Sequence, residues 1–325
     1  MAKNRATFRT TSAQPESYGE RLGQHAYQPV YAGPGSAVSR ILIAMDSRCF
    51  VLMLAAAALL PGQTRRSVFV ITDAEGVAGI CRQDQTDPKD PELRRLLTGE
   101  VNAAVEGFLA GGVTEVLVWD GHDGSQTLSA DTIHPRARLI IGALGPSMTL
   151  ERKYDAIAFL GQHSRANVRA GIMAHSYSSL GIQNILMNGR SVGEIETRVA
   201  LAGWYDTPAI LLTGDRAAVR EIQAIVPDIE VAEVKEGLAR YSCISLSADA
   251  ARSQIREAAR RAAGKIGRIR PYKISGPVTI QIEHTTRNSL PISAGLAPGT
   301  TVVDDRTIRY EGKDFMEAWV RSGLF

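Results

Sequence analysis

Between residues 67 and 212 the chain repeatedly alternates a short apolar run with a helical stretch. The runs are Ser67–Thr72, Thr114–Trp119, Arg138–Ile141, Ala156–Leu160 and Ala209–Leu212. Unbroken apolar runs of this length are expected where a strand is buried on both faces. Pro91–Ala110 carries Leu93, Leu97, Val101, Ala104, Val105 and Phe108 on one helical stripe, and Gly111-Gly112 ends it. Glu194–Ala202 reads as another helix. Strands that alternate with helices build βαβ units around a largely parallel sheet. Within this series, Ile182–Met187 and Ser191-Val192 flank Asn188-Gly189, a tight hairpin turn.

Beyond Gly214 the pattern loosens. Helices are predicted at Arg216–Ile225 and Ala248–Ala263, and Val278, Ile280 and Ile282 alternate as in a half-exposed strand ending at Glu283-His284. Thr300–Val303 and Thr307–Tyr310 read as a strand pair, and Phe315–Arg321 as a closing helix. The expected organisation is a leader over 1–66, a metal-binding catalytic α/β domain over 67–213 and a smaller α/β domain over 214–325.

The net charge of +3 comes from the leader. Residues 1–66 hold eight of the 37 Lys/Arg and three of the 34 Asp/Glu, so 29 basic and 31 acidic residues remain. That near-neutral remainder has no basic stripe, and nucleic acid is not an expected partner. Residues 1–44 are polar and lack periodicity, as in disordered segments. Met45-Asp46-Ser47-Arg48 and the apolar stretch Cys49–Leu60 then resemble a secretory signal. The stretch is too short for a stable membrane span. The expectation is export through a signal starting at Met45, at about 45–63, or otherwise a cytoplasmic protein. Cys49, Cys81 and Cys243 show no paired spacing, so they are expected to be separate small thiols rather than a disulfide framework.

Four motifs carry the chemistry: Asp73-Ala74-Glu75-Gly76, Asp120-Gly121-His122, Gly161-Gln162-His163 and Val192-Gly193-Glu194. Each follows a predicted strand or opens a helix after one. In α/β folds the carboxyl ends of parallel strands converge on one crevice. A lone D-x-E-G is ordinarily a solvated turn, and a lone histidine after a strand is ordinarily a loop residue. Recurrence at several strand ends makes a metal-ligand set the better reading, with two clustered divalent ions. His175 shares a loop with His163 and is a further ligand, a general base or a structural residue. His25, His134 and His284 lack this setting. Dinucleotide, Walker A and nucleophile-elbow motifs are absent.

At these motifs the chain resembles the zinc-dependent D-aminopeptidases of the DppA type. That family opens with S-x-D-x-E-G; here Thr72 stands at the first x and Ile71 in place of the serine. The matches continue in order through Asp120-Gly121-His122, Gly161-Gln162-His163, Met173-Ala174-His175-Ser176 and Val192-Gly193-Glu194, and weakly to Lys313-Asp314. The resemblance covers roughly 67–325. It implies two zinc ions held by Asp73, Glu75, His122, His163 and Glu194, a catalytic role for His175, and a ring-shaped homodecamer. The expected function is hydrolysis of the N-terminal residue of short peptides or aminoacyl amides, D-residues among them, by water activated at two divalent ions. Another binuclear amidohydrolase, a phosphoesterase with Arg165 as its cation, or an exported peptide-binding protein are the alternatives.

Overall fold

Ser67–Thr72 (β1) is buried at every residue and is an interior strand of a seven-stranded sheet. It pairs in parallel with Glu115–Trp119 (β2) on one side and Ala156–Gln162 (β4) on the other. Ala137–Ile140 (β3) extends the β2 edge. Ala209–Asp215 (β7) and Glu230–Ala239 (β8) continue in parallel beyond β4, and Ser242–Ser245 (β9) closes that edge antiparallel to β8. The order is β3-β2-β1-β4-β7-β8-β9. The computed structural model describes residues 65–142, 149–287, 290 and 294–324. The expected signal segment and its Met45 start lie outside the described residues, as does Cys49.

A second sheet is antiparallel throughout, in the order β11-β12-β10-β5-β6. Its strands are Ile182–Met187 (β5), Arg190–Val192 (β6), Val278–His284 (β10), Thr300–Asp304 (β11) and Thr307–Gly312 (β12). Asn188 and Gly189 both take positive φ in the β5–β6 turn, as a tight hairpin requires. The boundary expected at 213/214 runs through both sheets. β8 and β9 complete the seven-stranded sheet, whereas the β5–β6 hairpin joins strands of the C-terminal third through β5 and β10. The described residues form one compact unit.

Strands β8 and β9 are the elements that sequence reading missed. Glu230-Val231-Ala232-Glu233-Val234-Lys235 scatters charges through an apolar alternation, which hides a strand. Only Ala232, Val234 and Lys235 are buried in that stretch. The cysteine expectation is also corrected: Cys81 and Cys243 form a disulfide, with Cα atoms 6.1 Å apart. They are 162 residues apart in sequence, and only the packing of β9 beside the loop after β1 brings them together. Among the described residues no helix is long and apolar enough to cross a membrane.

The helices are Pro91–Ala110 (α1), Glu194–Trp204 (α2), Arg216–Ile225 (α3), Ala248–Ala263 (α4) and Phe315–Ser322 (α5). Asp90 caps α1 by accepting from the Glu92 and Leu93 amides, with Pro91 at the first helical position. α1 and α4 pack against each other over small residues. A Cβ on Gly107 would sit 2.2 Å from the Arg256 carbonyl oxygen and 2.8 Å from Ala259 Cβ. Two effects therefore compete in Gly107→Ala. Helix propensity favours alanine by about 1 kcal/mol, while overpacking costs about 1–3 kcal/mol. The blocking atom is backbone, so overpacking wins. Urea unfolding should show a net loss of up to about 2 kcal/mol, and a raised midpoint would refute the close crossing.

Candidate metal centre

β1 stops at Thr72 because the next residues turn across the end of β4. The Asp73 amide donates to Leu160 O at 2.8 Å and the Gly76 amide to Gly161 O at 2.7 Å. No side chain fits at this crossing. A Cβ on Gly76 would lie 2.1 Å from Gln162 O, and one on Gly161, at φ +70°, 2.2 Å from Asp73 O. Asp73 and Glu75 share a side through this turn.

His122 follows β2 within the same crevice. Its Nδ1 lies 3.3 Å from Asp73 Oδ1 and 3.5 Å from Glu75 Oε2, while Nε2 lies 2.8 Å from Thr86 O. An Nε2–H given to that carbonyl leaves the Nδ1 lone pair facing the carboxylates. Gly121 allows close approach to the Thr72 carbonyl, since a Cβ there would sit 2.7 Å away. Its role is thus packing against β1 rather than approach to an ion. Asp120 accepts from the Thr127 and Leu128 amides and holds the loop.

His163 follows β4. Its Nδ1 is 2.9 Å from Ser164 O, which leaves Nε2 directed at Asp73 Oδ2 and Glu194 Oε1, each 3.5 Å away. Glu194 opens α2, where a carboxylate favours the helix dipole. It accepts from the Tyr177 amide at 2.8 Å and from Arg198 at 3.0 Å. The His175 ring stacks on His163 at 4.1 Å, with its Nδ1 2.8 Å from Met173 O and its Nε2 3.8 Å from Glu194 Oε1. All five expected ligands and His175 therefore converge.

Three carboxylates closed off from water need compensating positive charge. Arg198 balances one. Burial opposes ionisation of Asp73, yet the His122 hydrogen bond and the charges of His163, His122 and Arg198 hold it well below its usual range. Burial and the neighbouring Asp73 push Glu75 up to about 7. Burial also disfavours charged imidazoles, but Asp73 and Glu75 drive His122 to about 10, and Glu194 with Asp73 drives His163 well upward. Asp73 Oδ2 and Glu75 Oε2 are buried without a hydrogen bond. Asp73, Glu75 and His163 offer donor atoms within 4.8 Å of one another, and so do His163, His175 and Glu194. Buried oxygens without donors beside imidazole lone pairs fit divalent cations, zinc included.

The site opens into a cavity of about 620 Å³, walled by Trp119, Tyr177, Trp319 and Leu324 opposite the acids. Sequence reading missed Arg198, although Glu194 and Arg198 are spaced i,i+4 on one helix. Its guanidinium carbon lies 5.6 Å from the Tyr177 ring centroid and 6.0 Å from that of Trp119. Arg165, the expected cation, belongs elsewhere. It lines a separate cavity of about 440 Å³ and gives a guanidinium N–H to Ala166 O. His134 holds a turn by accepting from the Arg136 amide, His284 ends β10, and Asp314 caps α5. His25 lies outside the described residues.

Three comparisons bear on this arrangement. The peptidase M55 family, described as D-aminopeptidase, matches residues 67–321. A D-aminopeptidase of Bacillus subtilis (strain 168) is 29% identical over 259 residues, covering 78% of this chain and 93% of that protein. The solved structure of a Zn-dependent D-aminopeptidase, DppA from Bacillus subtilis, described as a self-compartmentalizing protease, superposes with a TM-score of 0.72. It is 27% identical, over 79% of this chain and 96% of the other.

The Glu194–Arg198 pair yields a test with a definite sign. Burial alone would raise the Glu194 pKa, but Arg198 and His163 bring it down to about 2, against 4.5 unperturbed. The stability this contributes is present above pH 4.5 and is lost as pH falls through 2. In chelator-treated protein, Arg198→Met should lower the unfolding free energy by about 3–5 kcal/mol at pH 7, the usual cost of leaving a buried charge alone. The gap between wild type and variant should narrow between pH 4.5 and 2. A gap independent of pH would mean that Arg198 does not act through Glu194.

Proposed function

The chain belongs to the peptidase M55 family of D-aminopeptidases, and on that premise we propose that two zinc ions, held by Asp73, Glu75, His122, His163 and Glu194, serve its hydrolysis of short peptides and aminoacyl amides, D-residues among them. It is a metal-dependent aminopeptidase. The observation that carries the ligand set is the convergence of buried carboxylate oxygens without donors on imidazole nitrogens freed to face them. Asp73 turns one oxygen toward His122 and the other toward His163. That division would let Asp73 serve a cation on either side. The zinc dependence of the solved relative supports the choice of metal.

Bound there, divalent ions supply Lewis acidity, which polarises the scissile carbonyl and acidifies a water. The chain's own groups supply the rest. Giving Nδ1–H to Met173 O leaves His175 Nε2 as an acceptor facing the site. Burial, and then the adjacent His163, lower its pKa, so the ring is neutral near pH 7. In this reading Nε2 accepts a proton from the attacking water and returns it to the leaving amine nitrogen. Arg198 fixes Glu194, and the aromatic wall receives the substrate side chain and excludes water. The phosphoesterase alternative loses Arg165, and the cation that does line the cavity, Arg198, is paired with Glu194.

Metal content and turnover, measured together on D- and L-aminoacyl amides, test this reading. Wild type should carry two equivalents of zinc. His163→Ala should lose metal and activity together. His175→Ala should keep both equivalents and lose about 10²–10⁴-fold in kcat, the usual worth of acid–base catalysis. Metal loss in His175→Ala would reassign it as a ligand, a role that its place beside His163 and Glu194 also permits.

We propose further that the protein is exported and forms a closed homo-oligomer, a decamer by the resemblance. The basic-apolar-small order from Arg48 to Leu60 and the Cys81–Cys243 disulfide both suit an oxidising compartment. The description of the solved relative as self-compartmentalizing supports the assembly. Sequencing the amino terminus of protein recovered from its host should find a start shortly after Leu60. A mature chain that begins before Met45 would end the export reading.

A further inference from the structure

Glu75 sits in a stretch, residues 73–81, that has neither helix nor strand to hold it. Six of its first seven residues, Asp73 through Ala78, are buried. Buried turns must find partners for their peptide groups outside themselves. Here the partners come largely from the β8–β9 hairpin. The carbonyls of Glu75, Val77 and Ile80 converge on Lys235 Nζ, the Val77 contact being 2.9 Å. The Gly79 amide donates to Ser245 Oγ at 2.8 Å, and Cys81 is joined to Cys243. From α1, Glu100 Oε1 accepts from the Ala78 amide at 2.9 Å.

Lys235 is 3% exposed and points inward from a strand whose other charged residues face outward or lie partly exposed. An ammonium has three N–H donors and no acceptor. All three are accounted for by the three carbonyls, so the group has no donor left for substrate and no lone pair for a base. Its charge is set among Asp215, Glu100 and Glu75. Three carbonyl oxygens directed at one point are what a small structural cation would demand. The first of them belongs to Glu75 itself, so the position of the ammonium and the direction of the Glu75 side chain are set by the same residue.

We propose that Lys235 is a positioning residue for the metal centre: its ammonium replaces a structural cation inside the 73–81 turn and thereby sets the Glu75 carboxylate among the ligands. This rests on the reading of Glu75 as a ligand. It also assigns a purpose to the β8–β9 hairpin, which supplies none of the expected ligands yet holds the turn at Lys235, Cys243 and Ser245.

The test compares Lys235→Met, which keeps the length of the side chain without its donors, with Glu75→Gln and wild type. Zinc affinity is read by competition with a chromophoric chelator, and kcat and KM are read separately at saturating zinc. Lys235→Met should bind zinc at least tenfold more weakly and lose activity in kcat rather than KM. A lysine that merely stabilises the fold would lower the melting temperature but leave zinc affinity and kcat of the folded protein unchanged, and that result overturns the proposal. If Lys235→Met fails to fold, Lys235→Arg replaces it. Its planar fork keeps the charge but cannot direct three donors to one point, so weakened zinc affinity supports the proposal and wild-type affinity with wild-type kcat overturns it. Should Glu75→Gln bind zinc as tightly as wild type, the ligand reading of Glu75 fails. Should Glu75→Gln lose zinc while Lys235→Met does not, only the role of Lys235 fails.

Discussion

Everything around the site follows from placing Asp73, Glu75 and Glu194 together out of reach of water. Their mutual repulsion and lost hydration would disperse them unless positive charge were supplied at the same place. Arg198 supplies one unit from the next turn of α2. The imidazoles of His122 and His163 meet the remaining demand, either by holding protons or by offering lone pairs to divalent cations. Asp73 and Glu75, which help push both histidines upward, each keep one buried oxygen without a donor. A buried set with this imbalance is unstable as a purely structural feature, and cation binding resolves it.

Keeping the acids close also requires the backbone to come close. The turn after β1 crosses the end of β4 where neither Gly76 nor Gly161 has room for a side chain, and Gly121 lets the loop after β2 lie against Thr72. These glycines occupy the motif positions beside the ligands because the strands' ends meet there. Their chief service is to backbone contact, with metal access a consequence. Polar groups exposed by such crossings are then met from neighbouring elements, by Lys235, Glu100 and Ser245 for the turn and by Asp120 for the His122 loop.

Those two layers differ in how far the sequence reveals them. The candidate ligands Asp73, Glu75, His122 and His163 were legible because they follow uninterrupted apolar runs, which mark the carboxyl edge of a parallel sheet, whereas Glu194 follows the short, polar β6 of the other sheet. The bounds of α1, α3 and α4 were legible because Asp90, Asp215 and Ser247 cap them and apolar stripes run through them. The supporting residues were not. Lys235 lies in a charge-bearing strand near the sheet edge, where half-exposure dilutes the alternation. Arg198 looks like an ordinary surface residue of an amphipathic helix until the fold lays Tyr177 and Trp119 around it. Pairing of Cys81 with Cys243 depends on β9 lying beside a turn more than 160 residues away, and nothing local encodes that.

The way the chain is divided between the two sheets also bears on function. Sequence order suggested a ligand-bearing α/β domain over 67–213 followed by a smaller α/β domain over 214–325. In the fold, Asp73, His122 and His163 follow strands of the parallel sheet, whereas Glu194 follows β6 of the antiparallel sheet. The α5 residue Trp319 lines the same cavity from the far end of the chain. The metal centre therefore lies along the seam of the two sheets. A site so divided requires both sheets to be in place before its carboxylates can meet. That explains why β5 and β6 are inserted between β4 and β7: the insertion delivers the start of α2, with Glu194 and Arg198, to the crevice that the parallel strands have opened.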